Sequence, residues 1–363
     1  MSVISSKAVQ LIENPIGVSF LLCTYNGATR ITETLACLAR QHTTAYSRWE
    51  IILVDNASTD NTAELAQIAW AKLDSPAPLY LLHEARPGKQ YALETAIDQV
   101  HYRYTCIVDD DNRLAEDYMR IGLAILEAYP QIGILGGPTT ATFEGAEPAW
   151  FDSFQHCYAV GPQLDRVDGN LTPLIDGNVG RNVLWGAGMF VRTAVWYKLR
   201  AAGFKSLFAG RQETNLVGGE DDELCYATQL LGYEVWYSSQ LHLQHYMVAG
   251  RLTIAYRNRL FYDSARTAAR LNAYRNALWG KQNDTTKTNF IKDAGYLILG
   301  SVKEVFSLAF VQSYFNGKYL VRMQLRHGLL SIKDVLLQGQ WGQAHYKPVI
   351  SFKQKLVANK CAE

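Results

Sequence analysis

The chain predicts an α/β fold built on a mainly parallel sheet, and three observations carry that expectation. Short apolar runs of strand length alternate with helix-length segments through roughly the first 140 residues. Polar clusters follow three of those runs directly, so they fall together on one edge of the expected sheet, where ligands of such sheets collect. One cluster is a run of three carboxylates, Asp109-Asp110-Asp111, placed straight after the apolar Cys106-Ile107-Val108.

The strand signals are 18–24, 50–55, 79–83 and 104–108, each apolar and β-branched or aromatic in character. Between them, Asp60 opens a helix with a polar start followed by Thr-Ala-Glu-Leu-Ala. Segments 88–100 and 114–128 show apolar spacing near 3.6, and Pro130 closes the second. The stretch 138–250 is less periodic and rich in glycine and aromatics. It predicts a loop-to-strand passage at 185–191, a helix from the acidic run 220–223 to Gly232, a strand at 233–237 and a strand-like 242–245. Beyond 250 the spacing predicts helices over 253–279, 290–311 and 317–338, with breaks near Asn283-Asp284, Asn316-Gly317 and Gly339. The expected organisation is therefore an α/β domain over 1–250, with halves 16–137 and 138–250, and a basic helical extension over 251–363.

Composition narrows the class. The 363 residues are 48% hydrophobic and 19% charged, ordinary for a globular chain able to bury a large core. The first residues lack a basic-then-apolar leader, and the most apolar stretch, 294–310, is interrupted by Lys303-Glu304. Both point to a cytoplasmic protein. Six scattered cysteines without a CxxC pair argue against a zinc site or a disulfide framework. Net charge is +1, but residues 1–250 hold 17 Lys+Arg against 28 Asp+Glu, a balance of −11. Residues 251–363 hold 18 against 6, or +12. An acidic body thus carries a basic tail.

Three adjacent carboxylates repel one another. A hard divalent cation such as Mg2+ or Mn2+ offsets that cost and keeps positions open for phosphate; a solvated acidic turn is the plainer alternative. The second acidic cluster, Glu220-Asp221-Asp222-Glu223, opens a helix, where the dipole favours anions. It offers either a capping run or a carboxylate general base.

Taken in order, the motifs resemble the inverting glycosyltransferases of family 2, which have the GT-A fold. That fold is a Rossmann-like, mostly parallel sheet with flanking helices, shared by nucleotide-diphospho-sugar transferases. The resemblance covers about 16–265 and rests on Cys23-Thr24-Tyr25-Asn26, Ile52-Leu53-Val54-Asp55-Asn56-Ala57-Ser58-Thr59-Asp60, Gly88-Lys89-Gln90-Tyr91-Ala92-Leu93, Asp109-Asp110-Asp111 and Gly219-Glu220-Asp221. It implies that Thr24, Tyr25 and Asn26 border the nucleoside and that Asp55 binds the base, a UDP-sugar being the favoured donor. Lys89, with Arg86 nearby, would face the diphosphate. Asp111 would ligate the metal, Asp109 the metal or ribose, and Asp110 would stand beside the nucleotide. His245 would complete the metal shell, with His242 the lesser candidate. Asp221 matches the catalytic base and Glu220 would orient it, although Asp222 and Glu223 leave that assignment open by one residue. Trp185, Gly186 and Gly188 match the loop beneath the acceptor.

The implied activity is inverting, metal-dependent transfer of a sugar to a hydroxyl of a glycan or polyprenyl-linked acceptor in surface polysaccharide assembly. Two alternatives stand beside it: a sugar-nucleotidyl transferase, which would carry a Gly-rich loop where Thr24-Tyr25-Asn26-Gly27 stands, and an inactive domain serving as a scaffold. The basic helices suit an anionic membrane surface, placing the protein at the cytoplasmic face of the inner membrane. They equally suit a cap on the acidic body or a homodimer interface. Nucleic acid is not an expected partner, because no binding motif accompanies the near-neutral charge.

Overall fold

The computed structural model describes residues 14–43, 48–165, 171–208, 216–280, 319–337 and 342–360, with the single positions 295 and 299. The chain divides into two compact units, Met1–Ala201 with Glu220–Thr253, and Ala202–Gly219 with Ile254–Glu363. Segment 202–219 therefore clusters with the C-terminal helices and not with the sheet.

In the first unit the strands run β1 Gly17–Thr24, β2 Arg48–Asp55, β3 Leu79–His83, β4 Tyr104–Asp109, β5 Asn112–Leu114, β6 Ile132–Gly136 and β7 Thr139–Phe143. They continue as β8 Leu164–Asp165, β9 Thr172–Pro173, β10 Gly177–Asn178, β11 Phe190–Arg192, β12 Glu234–Tyr237 and β13 Leu243–Met247. The helices are α1 Ile31–Ala39, α2 Thr62–Lys72, α3 Lys89–Ala96, α4 Tyr118–Ala128, α5 Thr193–Ala201 and α6 Glu220–Leu230.

The main sheet has the order β10-β12-β6-β11-β4-β1-β2-β3. Pairs β1–β2, β1–β4, β2–β3 and β6–β12 are parallel, while β11 runs antiparallel between β4 and β6. Every residue of β1 is buried, which its unbroken apolar run requires of a central strand covered on both faces. Phe20, Leu22, Leu53 and Val108 pack with Leu35 and Leu38 of α1 and Met119 and Leu126 of α4 in one core. The indoles of Trp49 and Trp70 meet edge to face at 5.9 Å, closing α2 onto the sheet.

Register fixes the functional edge. Thr24 lies level with Asp55, Cys23 with Asp109, and Asp55 with His83, so the parallel strands finish side by side in polar residues. A smaller sheet, β5-β13-β7, stands beyond β4. Its existence explains why the helix expected from 114 begins only at Tyr118: Asn112–Leu114 is taken into an antiparallel ladder with β13. His245 pairs with Asn112 there, and the Tyr246 amide extends the ladder to the Asp111 carbonyl at 2.8 Å.

The second unit contains α7 Ile254–Asp263, α8 Ala265–Trp279, α9 Tyr319–Leu337 and α10 Gly342–Lys360. The single helix expected over 253–279 is two, parted at Ser264. The expected helix 290–311 and the apolar stretch 294–310 fall almost wholly outside the described residues. Helix α10 lies beyond the helices expected from the sequence, which ended at 338, and it contains Pro348, a residue that disfavours a helix interior. Buried Tyr346, Val349, Phe352 and Leu356 recur at helical spacing and outweigh it. Among the described residues, no helix is long and apolar enough to cross a membrane.

An ion pair between exposed Arg86 and buried Glu84 joins the end of β3 to α3. The Glu84 carboxylate accepts from Arg86 Nε and Nη2 at 2.9 and 2.8 Å, from the Arg86 amide at 2.8 Å, and from Thr95 Oγ1 at 2.7 Å. Those donors, the Arg86 side chain first, pull the carboxyl down to about 2. A depressed folded pKa stabilises the fold above the ordinary carboxyl range near 4.5, and the contribution is lost as pH falls from there toward 2. Glu84→Gln is expected to cost about 1.5 kcal/mol at pH 7. In urea denaturation the difference from the parent should shrink steadily below pH 4.5; a gap that stays constant down to pH 2 would contradict it.

Candidate functional site

The carboxyl edge of the sheet gathers most of the residues singled out in the sequence, and the three aspartates after β4 divide the work. Each carboxylate is met by a different basic side chain. Lys89 Nζ lies 2.7 Å from Asp109 Oδ1, Arg30 Nε 2.9 Å from Asp110 Oδ1, and an Arg251 terminal nitrogen 2.7 Å from Asp111 Oδ2. Repulsion along the triplet is thus offset in part by cations of the chain itself.

Asp110 belongs to the framework. Besides both Arg30 contacts it accepts from Thr24 Oγ1 at 2.6 Å, and its carbonyl accepts from Thr34 Oγ1 at 2.7 Å. Burial pushes its pKa up, with Arg30 opposing. This lock joins the Thr24 hydroxyl and the Asp110 carboxylate to each other and to Arg30 within the fold. Gly27 completes the lock, since a Cβ there would overlap both groups.

Asn26 is likewise engaged. It adopts φ +48°, its amide donates to Ser58 Oγ at 3.0 Å, and its Oδ1 accepts from the Thr59 amide at 2.8 Å. It ties the loop after β1 to the loop after β2. Tyr25 between these residues is 39% exposed, leaving its ring at the open edge. Asp55 is buried and holds the Ser58 amide at 3.2 Å through Oδ1, while Oδ2 lies 3.3 Å from His83 Nδ1. Asn56, which the sequence reading passed over, clamps the following segment. Its side-chain nitrogen donates to the Glu84 and Arg86 carbonyls, and its oxygen accepts from the Gly88 amide at 2.7 Å. That clamp sets the start of α3 and with it Lys89.

Lys89 occupies the first turn of α3, where the helix dipole disfavours a cation. Burial also opposes its charge, yet the carboxylates of Asp109 and Asp221 more than compensate and hold its pKa above the ordinary lysine value. A fixed ammonium between two acids is an electrostatic device suited to an anionic ligand. Arg86, by contrast, is spent on Glu84 and stacks over Tyr91 at 4.5 Å.

Asp221 opens α6 together with Glu220, Asp222 and Glu223. Its Oδ2 accepts from the Gly186 amide at 2.8 Å, and a Cβ at Gly186 would overlap the carboxylate. Trp185 is half-buried, its amide held by Gln163 Oε1 at 3.0 Å and its ring 6.2 Å from that of His156. Gly188 lies deeper, at φ +69°. Its carbonyl accepts from Tyr118 Oη at 2.8 Å, and a Cβ would strike that hydroxyl and Leu243. Gly186 therefore serves Asp221, whereas Gly188 serves the core.

His245 and Asp111 converge. His245 Nε2 lies 3.3 Å from Asp111 Oδ2 and 3.3 Å from the same Arg251 nitrogen, and all of this is nearly buried. Burial would raise the Asp111 pKa, but His245 and Arg251 override it and hold the carboxylate well below its usual range. His245 Nε2 thus faces both a carboxylate acceptor and a guanidinium donor, and its tautomer decides which of them it serves, while Nδ1 is a buried atom without a hydrogen-bond partner. With the ring neutral and its proton on Nδ1, an imidazole Nε2 beside a carboxylate oxygen would suit a divalent metal. Among the described residues no third His, Cys, Asp or Glu joins them, so ligand oxygens or water would complete the shell. Asn112 Nδ2 steadies Asp111 Oδ1 at 3.0 Å. His242 is exposed, one residue before β13, and takes no part.

Arg30, Asn56 and Arg251 are the residues that sequence reasoning missed. Arg30 and Arg251 meet their aspartates across 80 and 140 positions, and only the fold reveals such pairs. Asn56 did carry a signal, since it adjoins Asp55 at the end of an apolar strand.

Comparison with known proteins bears on the family and the fold. Residues 19–182 match the model of glycosyl transferase family 2. Poly-beta-1,6-N-acetyl-D-glucosamine synthase of Staphylococcus epidermidis is 29% identical over 121 residues, 33% of this chain and 28% of that protein. The synthase of Staphylococcus aureus is 32% identical over the same length and shares. The matched segment thus spans under a third of these curated relatives. Among solved structures, the mannosyltransferase PcManGT from Pyrobaculum calidifontis, in complex with GDP-Man and Mn2+, has TM-score 0.52 at 16% identity, covering 93% of each chain. S. aureus TarS 1-349 in complex with UDP-GlcNAc has TM-score 0.50 at 13% identity, covering 96% of this chain and 92% of that one. At such identities these two structures speak for the fold alone.

The two glycines should separate in a stability measurement. Gly188→Ala is expected to cost about 3 kcal/mol, from overpacking and a left-handed backbone. Gly186→Ala, with no positive φ and only the Asp221 side chain to displace, should cost less than half of that. Equal losses in urea unfolding would show that Gly188 is no more constrained than Gly186.

Proposed function

Residues 19–182 form a glycosyltransferase family 2 domain, and from that premise we propose that the chain transfers a sugar from a nucleoside-diphosphate donor to a hydroxyl acceptor with inversion at the anomeric carbon. The observation that carries the reading is the arrangement of Asp221. One carboxylate oxygen is fixed by the Gly186 amide, which leaves the other to accept a proton, and Lys89 stands in its field.

In this reading the acceptor hydroxyl gives its proton to Asp221 as its oxygen forms a bond to the anomeric carbon. The bond from that carbon to the diphosphate breaks on the opposite face, so a single displacement inverts the configuration. A carboxylate is a sufficient base, because an oxocarbenium-like transition state demands deprotonation only late. Lys89 holds positive charge beside Asp109, where negative charge grows on the departing diphosphate. Asp55 and the exposed Tyr25 ring border the base, and Trp185 next to Gly186 offers an apolar face to the acceptor sugar. Asp111 and His245 would hold the divalent cation, Mn2+ or Mg2+, which as a Lewis acid lowers the cost of charge on the leaving group. Glu220, adjacent to Asp221 at the helix start, would support it.

The names of the relatives direct the acceptor reading toward glycans of the cell surface, poly-N-acetylglucosamine synthases being the curated matches. The +12 balance of residues 251–363 supports an anionic partner for that segment, whether an acceptor or a lipid surface. An inactive scaffold would have no need of Asp221 fixed by a glycine amide.

Asp221→Asn keeps the size of the side chain and the bond to Gly186 but removes the base. With UDP- and GDP-sugars as donors, release of nucleoside diphosphate in the presence of acceptor glycans should fall about 10²–10⁴-fold. Nucleoside-diphosphate affinity should stay within roughly threefold. Turnover at the parent rate would remove Asp221 as the base.

A further inference from the structure

The position that Asp111 and His245 offer to a cation already has an occupant in this structure. A single Arg251 nitrogen sits 2.7 Å from Asp111 Oδ2 and 3.3 Å from His245 Nε2. This residue belongs to none of the motifs read from the sequence. It lies on the short 3-10 turn Ala249–Leu252 after β13. The turn is anchored: the Arg251 carbonyl accepts from Tyr158 Oη at 3.0 Å, its amide donates to the Val248 carbonyl at 2.9 Å, and the Ala249 amide donates to Glu144 Oε2 at 2.6 Å. The backbone is held while the long side chain reaches inward to the two donors.

We propose that Arg251 is a built-in cation that holds the Asp111–His245 pair in metal-binding geometry when no metal is bound, and that it must be displaced before a metal can bind. The proposal rests on the reading of that pair as the metal site. Its physical basis is charge and geometry. Buried Asp111 without a counter-ion would be costly, and Arg251 removes that cost while fixing the carboxylate and the imidazole toward one point. A divalent ion at that point would be strongly repelled by a guanidinium nitrogen 2.7 Å from the same oxygen. Arg251 therefore opposes metal binding to the ligand-free protein.

An incoming diphosphate changes the balance. Phosphate oxygens match the planar fork of a guanidinium, and rotation about the side-chain bonds carries that fork from Asp111 to the diphosphate without moving the anchored turn. The nucleotide then relieves the competition, so metal and nucleotide favour one another's binding by the same factor. Direct metal–phosphate bonds also couple the two ligands. The distinctive consequence of Arg251 is therefore tighter binding of metal alone once its charge is removed.

The test is Mn2+ binding to the metal-free full chain, read as loss of the free-ion electron paramagnetic resonance signal, with and without UDP or GDP. In Arg251→Met, Mn2+ alone should bind roughly tenfold or more tightly than in the parent, and the strengthening by nucleotide should be smaller. Arg251→Lys keeps a cation at the site and should leave Mn2+ affinity near the parental value. Asp111→Ala should abolish binding in every background. Melting temperatures verify that the variants are folded; should Arg251→Met not fold, Arg251→Gln takes its place. Unchanged or weaker Mn2+ binding by the neutral variant, with binding still dependent on Asp111, would overturn the proposal and leave the metal site standing. No Mn2+ binding by parent or variant, even with nucleotide, would remove the metal site and the proposal together.

Discussion

Neutralising three consecutive carboxylates at the end of β4 is the constraint on which the rest of the site depends. Asp109, Asp110 and Asp111 are held by Lys89, Arg30 and Arg251, which come from α3, from the residue before α1 and from the turn after β13. Each pairing ties a separate loop to the same strand end. Arg30 with Thr24 and Thr34 fixes the approach to α1, Lys89 fixes the start of α3, and Arg251 with His245 draws the small sheet against the large one. Remove Arg30 or Arg251 and a nearly buried acid loses a counter-charge, a cost larger than most surface pairs ever return.

The same three pairs explain how one chain obtains different chemistry from identical residues. Asp110 is committed on both oxygens and serves the framework. Asp109 shares its counter-ion with Asp221, so the ammonium of Lys89 is placed between two acids where an anionic ligand would arrive. Asp111 meets an imidazole whose Nε2 faces the same point, an arrangement with a use beyond stability. Gly186 adds the last element, giving one oxygen of Asp221 an amide partner and leaving room for the carboxylate that any side chain would take.

Much of this was legible in the amino acids, and the division follows interaction range. Strands β1 to β4 announce themselves through apolar runs, and the parallel arrangement puts their polar ends together, so Asp55, Asp109 and Asp111 could be placed on one edge without coordinates. Asp221 and Gly186 could each be nominated by motif, though nothing local shows that one donates to the other across 35 positions. Arg30 and Arg251 were invisible for the same reason. The triplet's repulsion was read as a cost to be offset, and arginine and lysine side chains, which the sequence reading had not paired with it, carry part of that work. The late helix start at Tyr118 and the helix through Pro348 show tertiary pairing and core burial overriding local spacing. Gly188 and Gly186 look alike in sequence; only packing distinguishes a core glycine from one that seats a carboxylate.

The central claim is that this edge binds a nucleoside diphosphate through Asp111 and a divalent ion. Calorimetric titration of the full chain with UDP, GDP and CDP, with and without Mn2+, tests it most directly when repeated on Asp111→Ala. Binding of one nucleotide that strengthens with Mn2+ in the parent, and no longer responds to Mn2+ in the variant, is the result expected. Nucleotide binding that is indifferent to Mn2+ in both proteins, or absent from both, would contradict it.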